Sequence, residues 1–117
     1  MSLETELHTL LSTVCPRVYP DVAPLTTAKP YITWQQVGGS VLRPLAKEVT
    51  EKRNARIQVN AWATTRAAAI DLMLDIEQVL VEAENLIVVQ QGAAIAAYSE
   101  EDDLRGMFQL FSIWANR

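Results

Sequence analysis

The spacing of hydrophobic and polar positions changes several times along the chain, and each change marks an element. Leu3, Leu7, Leu10, Leu11 and Val14 recur every three or four residues, which predicts a first helix. Ser2 is placed to cap it, Glu4 and Glu6 fall in its positive first turn, and Pro16 ends it. "PYITWQQVGGS" is rich in β-formers and closes on Gly38-Gly39, as a strand running into a turn does. From Arg53 to Ala63 the period is two: Ile57, Val59 and Ala61 lie on one side, Arg56, Gln58, Asn60 and Trp62 on the other. Thr64 or Thr65 then caps a second helix. Its apolar stripe is Ala69, Leu72, Met73, Ile76, Val79, Leu80 and Ala83, opposite Asp71, Asp75, Gln78 and Glu82. Two further strands are predicted, about Asn85 to Tyr98 and Leu104 to Ala115, joined as a hairpin through the acidic tip "SEEDD".

The connections carry information too. "RVYPDVAPLTTAKP" is too apolar for a flexible linker; it is expected to lie against the body of the fold, with a short strand around Val18. The polar segment from about Arg43 to Lys52, interrupted by Pro44, is expected to be an exposed loop, mobile in the free protein. The last strand is bulky on both faces, Met107, Phe111 and Ile113 on one and Phe108, Leu110 and Trp114 on the other. That suits a central strand, or one covered by a partner. The whole pattern predicts a single domain, residues 1–117, of class α+β: a mainly antiparallel sheet of four to five strands with two helices packed on it.

Charge sharpens the picture. The chain has 117 residues, a net charge of −4 and a pI near 4.9, so a general affinity for nucleic acid phosphates or acidic membranes is not expected. Six basic residues (Arg43, Lys47, Lys52, Arg53, Arg56, Arg66) fall between Arg43 and Arg66, against Glu48 and Glu51; nine acids fall between Asp71 and Arg105, against Arg105 alone. One half of the fold is expected to be positive and the other negative. Cys15 is the one cysteine, which rules out an intramolecular disulfide. No signal peptide is read at the N-terminus and no apolar run approaches the ~20 residues that span a bilayer, so the protein is expected in the cytoplasm where it is made.

Site chemistry is sparse. His8 is the one histidine, on the polar side of the first helix, and no Gly-x-Ser-x-Gly elbow accompanies it. Cys15 has no activating motif around it and reads as a small buried thiol. Glu100, Glu101, Asp102 and Asp103 lack the spaced ligands and glycine of a calcium loop and read as a solvated turn. Gly38-Gly39 is no phosphate loop, and "KRNAR" reads as the solvated start of a strand.

Five stretches carry a family resemblance: "LETELHTLLS", "VYPDVAP", "KPYITWQQVGG", "RIQVNAWATTRAAAIDLMLDIEQVL" and "MFQLFSIWANR", in an order and spacing that cover nearly the whole chain. In these the sequence resembles a family of small phage and prophage tail-completion proteins, similar to the tail terminators of long-tailed phages with non-contractile tails. The family often has aspartate where this chain has Asn60, and the segments at 43–52 and 89–97 match poorly. The resemblance implies a tail-terminator-like fold and a structural, non-enzymatic role in virion assembly, with no cofactor and no metal. It implies a ring of subunits at the head-proximal end of the tail tube, ending tube growth and helping to join tail to head. The implied partners are further copies of the chain, the tail-tube protein and a head-completion protein. On this reading DNA would pass through the ring without specific binding, and no membrane would be involved. The implied location is the host cytoplasm during assembly and then the virion tail.

The residues, not the family, supply the candidate interface: Arg43, Lys47, Arg56, Gln58, Asn60 and Trp62. A tryptophan on a polar strand face is the kind of aromatic that anchors interfaces; the competing reading packs Trp62 under the 43–52 loop. Opposite charges in two segments suit head-to-tail association into a ring, and an acidic lumen would let DNA slide. Two alternatives stay open: another head-tail connector or minor tail protein, and a small α+β ligand-binding or regulatory module.

Overall fold

A computed structural model of the chain describes residues 3–24, 27–39, 52–99 and 104–116. The elements run α1 (Leu3–Val14), β1 (Val18–Pro20), β2 (Tyr31–Gly38), β3 (Lys52–Ala63), α2 (Arg66–Val81), β4 (Ile87–Ser99) and β5 (Leu104–Asn116). The five strands form one sheet in the order β1-β2-β3-β5-β4, antiparallel except for β1, which runs parallel to β2. This is the α+β class read from the sequence. The 40–51 segment, which holds most of the expected 43–52 loop with Arg43 and Lys47, lies outside the described residues, as does the tip at 100–103.

Both helices pack on one face of the sheet, because each presents a single apolar stripe. Leu3, Leu7 and Leu11 of α1 are buried, with Leu10 and Val14 partly so. On the opposite, solvent-facing side of α1, Thr9, Ser12 and Thr13 turn their hydroxyls back to carbonyls of the preceding turn at 2.9, 2.7 and 2.6 Å. In α2 the buried set is Ala69, Leu72, Met73, Ile76 and Leu80. Thr65 caps it: the Ala68 amide donates to Thr65 Oγ1 at 3.1 Å. The stripe placed Ala83 within this helix, but the helix ends at Val81. Glu82 is its C-cap, and the Ala83 amide closes a tighter last turn on the Leu80 carbonyl at 3.3 Å.

Beneath the helices lie Ile32 and Trp34 of β2, Ala55, Ile57, Val59 and Ala61 of β3, and Phe111, Ile113 and Ala115 of β5. Ile57, Val59, Ala61, Phe111 and Ile113 are wholly buried. Each large aliphatic side chain so placed stabilises the fold by roughly 1.5–3 kcal/mol. β5 is central, inserted between β3 and β4. The β4–β5 ladder is broken between Gln91 and Ile95, where Gly92 takes φ +88°. Gln109, 2% exposed, ties this bulge down by donating from Nε2 to the Gly92 carbonyl at 2.9 Å.

Arg53, Arg56 and Arg66 do not share one surface, while Arg43, Lys47 and the acids at 100–103 lie outside the described residues. Arg53 projects to the helix side, hydrogen-bonds Gln36 at 2.8 Å and sits 3.9 Å from Glu4; Arg66 opens the acidic helix itself. Arg56 is exposed on the other sheet face, away from Asp71 and Asp75 on the outer side of α2. Alternation along a strand sends positions an odd number apart to opposite faces, which separates Arg53 from Arg56.

Candidate functional site: the sheet face opposite the helices

The face of the sheet opposite the helices carries every second residue of the long strands. Partners in register place Tyr31, Thr33 and Gln35 of β2 beside Trp62, Asn60 and Gln58 of β3. Across β5 the same face continues through Gly106, Phe108, Leu110, Ser112 and Trp114 to Ile87, Val89, Gln91, Ile95 and Ala97 of β4. The face therefore has two halves of different chemistry. Toward β2 it is polar, and toward β4 it is mainly apolar, with Gln91 and Ser112 as the exceptions.

In the polar half the side chains satisfy one another. Gln58 Nε2 donates to Asn60 Oδ1 at 3.0 Å, and Asn60 Nδ2 donates to Thr33 Oγ1 at 3.1 Å. Trp62 Nε1 donates to the same hydroxyl oxygen at 3.3 Å. Thr33 is 5% exposed, so two half-buried donors converge on one buried acceptor. Further along, buried Asn54 donates to Ser112 Oγ at 2.9 Å and to the Ile113 carbonyl at 3.2 Å. Of the candidate interface residues, Arg56, Gln58, Asn60 and Trp62 thus share one face, Arg56 the most exposed of the four. Arg43 and Lys47 lie outside the described residues.

What meets Trp62 is a glycine. Trp62 pairs with Gly106 of β5, and a Cβ built on Gly106 would lie 2.6 Å from ring atoms Cε3 and Cζ3. The indole lies flat over a position that has no side chain. Strand alternation alone leaves Trp62 as an interface anchor or as covered by the 43–52 loop, most of which lies outside the described residues, and does not reveal this partner. An isolated glycine within a strand pattern, as in "LRGMFQL", is the signal for such a close approach.

In the apolar half, Ile87, Val89 and Ile95 are 59%, 53% and 57% exposed, while Phe108, Leu110 and Trp114 are half-buried between strands. Exposed large apolar side chains on one continuous face are unusual in a chain that acts alone. The two-sided bulk of "MFQLFSIW" announced this half; the period-two run Ile87, Val89 belongs with it and was not among the interface residues read from the sequence.

Beside the polar half, the turn at Asp21–Pro24 and residues Thr27 and Lys29 enclose a hollow of about 470 Å³ against Tyr31, Thr33, Asn60 and Trp62. Asp21 takes φ 64°, and Val22 stands out into solvent at its rim. The Thr33, Asn60 and Trp62 polar groups on its floor are engaged with each other. Cys15 is buried, its thiol 3.5 Å from the Pro30 carbonyl, and His8 is exposed on α1. Among the described residues, no three His, Cys, Asp or Glu side chains are grouped to hold a metal. No described helix is long and apolar enough to cross a membrane.

Comparison with solved structures finds the same fold in a chain of the "Virion of native gene transfer agent (GTA) particle". The TM-score is 0.67 and the identity 17%, over 99% of this chain and 96% of that one. Among curated proteins no relative matches. The family model described as "Tail completion protein gp17" matches residues 4–116, which spans both helices and all five strands. The chain belongs to the tail completion protein gp17 family.

Proposed function

We propose that this protein is a structural, non-enzymatic component of a phage tail that forms a ring at the head-proximal end of the tail tube. There it ends tube growth and offers a surface to the head-completion protein. The observation that carries the reading is a sheet face that no described element covers, half polar and half apolar, in a chain of the tail completion family. A tube grown by identical contacts has no intrinsic end. A cap must resemble a tube subunit on one side and differ on the other, and a sheet with helices on one face only has that asymmetry. Different surfaces offered to the two neighbours are what closes a head-to-tail ring. Arg56, Gln58, Asn60 and Trp62, with the apolar residues of β4 and β5, are the proposed contact residues. The net charge of −4 removes the phosphate-binding term and leaves DNA free to pass. Assembly takes place in the host cytoplasm, and the finished location is the virion tail.

Electron microscopy of a lysate from a phage lacking the gene tests this. Overlong tails without heads support the terminator role. Normal-length tails free of heads would point instead to a connector that joins without setting length, and normal-length tails on filled heads would end both readings.

A further inference from the structure

The sheet has two edges of unequal character. One is β1, three residues long and carrying Pro20, a short strand of the kind that blunts an edge. The other is β4, thirteen residues from Ile87 to Ser99 with no charged residue and no proline. Among the described residues no strand pairs with its far side. The bulge at Gly92 divides it, leaving Ile87–Gln91 as a regular five-residue edge.

The surroundings of that edge specify what can lie along it. On the open sheet face stand Ile87 and Val89, more than half exposed. On the helix side, Gln90 and the last two turns of α2 form a shelf of about 300 Å³ lined by Leu74, Glu77, Gln78, Val81 and Glu82. Leu74 and Val81 are 55% and 56% exposed. The last turn of α2 holds no basic residue, so the negative end of the helix dipole and two carboxylates act on the same shelf. An added strand places alternate side chains on these two sides. Toward the sheet face it needs apolar, β-branched residues. Toward the shelf it needs an aliphatic stem for Leu74 and Val81 and a cationic head for Glu77 and Glu82, which describes lysine or arginine.

A second β4 edge does not meet this description. Two copies paired antiparallel about a twofold axis would set Glu77 and Glu82 of both on one side of the joint sheet, where like charges repel. We propose that the Ile87–Gln91 edge of β4 is a docking site for an extended segment of another protein that alternates β-branched apolar residues with lysine or arginine. Main-chain hydrogen bonds along the edge supply affinity, and the alternating side chains supply selection. The proposal stands independently of the terminator role.

The test uses the isotope-labelled full chain titrated with a short capped peptide alternating valine and lysine, and with the same peptide carrying glutamate for lysine. Saturable amide shifts should appear at Ile87–Gln91 and on Leu74 and Val81 with the lysine peptide. Hydrogen exchange should slow at every second amide of the edge, those pointing away from β5. The lysine peptide should bind at least about fivefold tighter than the glutamate peptide, and the Glu77→Lys/Glu82→Lys variant should reverse that order. Shifts scattered over Glu4, Asp71 and Asp75, or protection without alternation, would mean unspecific charge attraction and overturn the proposal. So would equal binding of both peptides or no binding. No tail is present in the experiment, so failure here leaves the terminator reading untouched.

Discussion

Trp62 and Gly106 form one surface: the indole of β3 occupies the space that a side chain on β5 would need. The tryptophan is therefore a packing residue as well as a proposed contact residue. It shields the backbone of a central strand and at the same time presents its outer ring face beside the hollow at Asp21–Pro24.

Gly106→Ala should displace the indole and destabilise the fold by about 1–3 kcal/mol, the usual cost of forcing extra atoms into a packed site. Urea denaturation measures it. Trp62→Phe in the Gly106→Ala background should lose less than the two single losses summed, because both changes act on one contact. Strict additivity would show that the ring does not rest on Gly106.

Thr33→Val keeps the shape of the side chain but removes the acceptor shared by Asn60 and Trp62. A loss of about 1–3 kcal/mol is expected for leaving such donors unpaired, toward the lower figure because both are half-buried. Thr33→Ser should retain most of the stability. If valine is tolerated as well as serine, the network contributes nothing.

Ile95→Gln changes an exposed side chain on the apolar half of the open face. Away from the core, its effect on stability should stay within about 0.5 kcal/mol. Incorporation into tails should nonetheless fall, read by complementing a phage that lacks the gene and counting joined particles. Full complementation would remove this half of the face from the contact surface.

In dilute solution the isolated chain should sediment at micromolar concentration as a monomer or a weak oligomer. Its long edge is broken by the Gly92 bulge and flanked by Glu77 and Glu82, which oppose pairing with itself. A stable ring formed without any tail protein would contradict assembly on the tube end.

Local pattern made much of this legible. The α2 stripe and Thr65, the strict alternation of Ile57, Val59 and Ala61, and the two-sided bulk of β5 each follow from neighbours a few residues apart. They give the elements and the helix-covered face, and leave the last strand either central or covered by a partner, which the strand order decides for central. What pattern could not give was pairing between distant segments. The insertion of β5 between β3 and β4 depends on such contacts, as does the parallel register of Val18 with Ile32. The seating of Trp62 on a glycine forty-four positions later depends on them too. The polar candidates Gln58 and Asn60 were read as contact residues because they alternate with the core; their partners in the fold are first of all each other and Thr33.

The place of β5 also has a consequence for synthesis. It is the last of the five strands in chain order, yet it joins β3 to β4. A ribosome therefore makes α1, β1, β2, β3, α2 and β4 before the strand that unites them exists. Until then Ile57 and Val59 have no Phe111 or Gln109 beside them, and β4 has no neighbour in the sheet. Folding must wait for a contact of long sequence separation, which makes it slow relative to helix formation and leaves apolar strands open meanwhile. The same delay acts as a checkpoint, since a chain that stops short of Leu104 keeps β1, β2 and β3 together but has nothing to hold β4 to them, and so lacks the apolar half of the face.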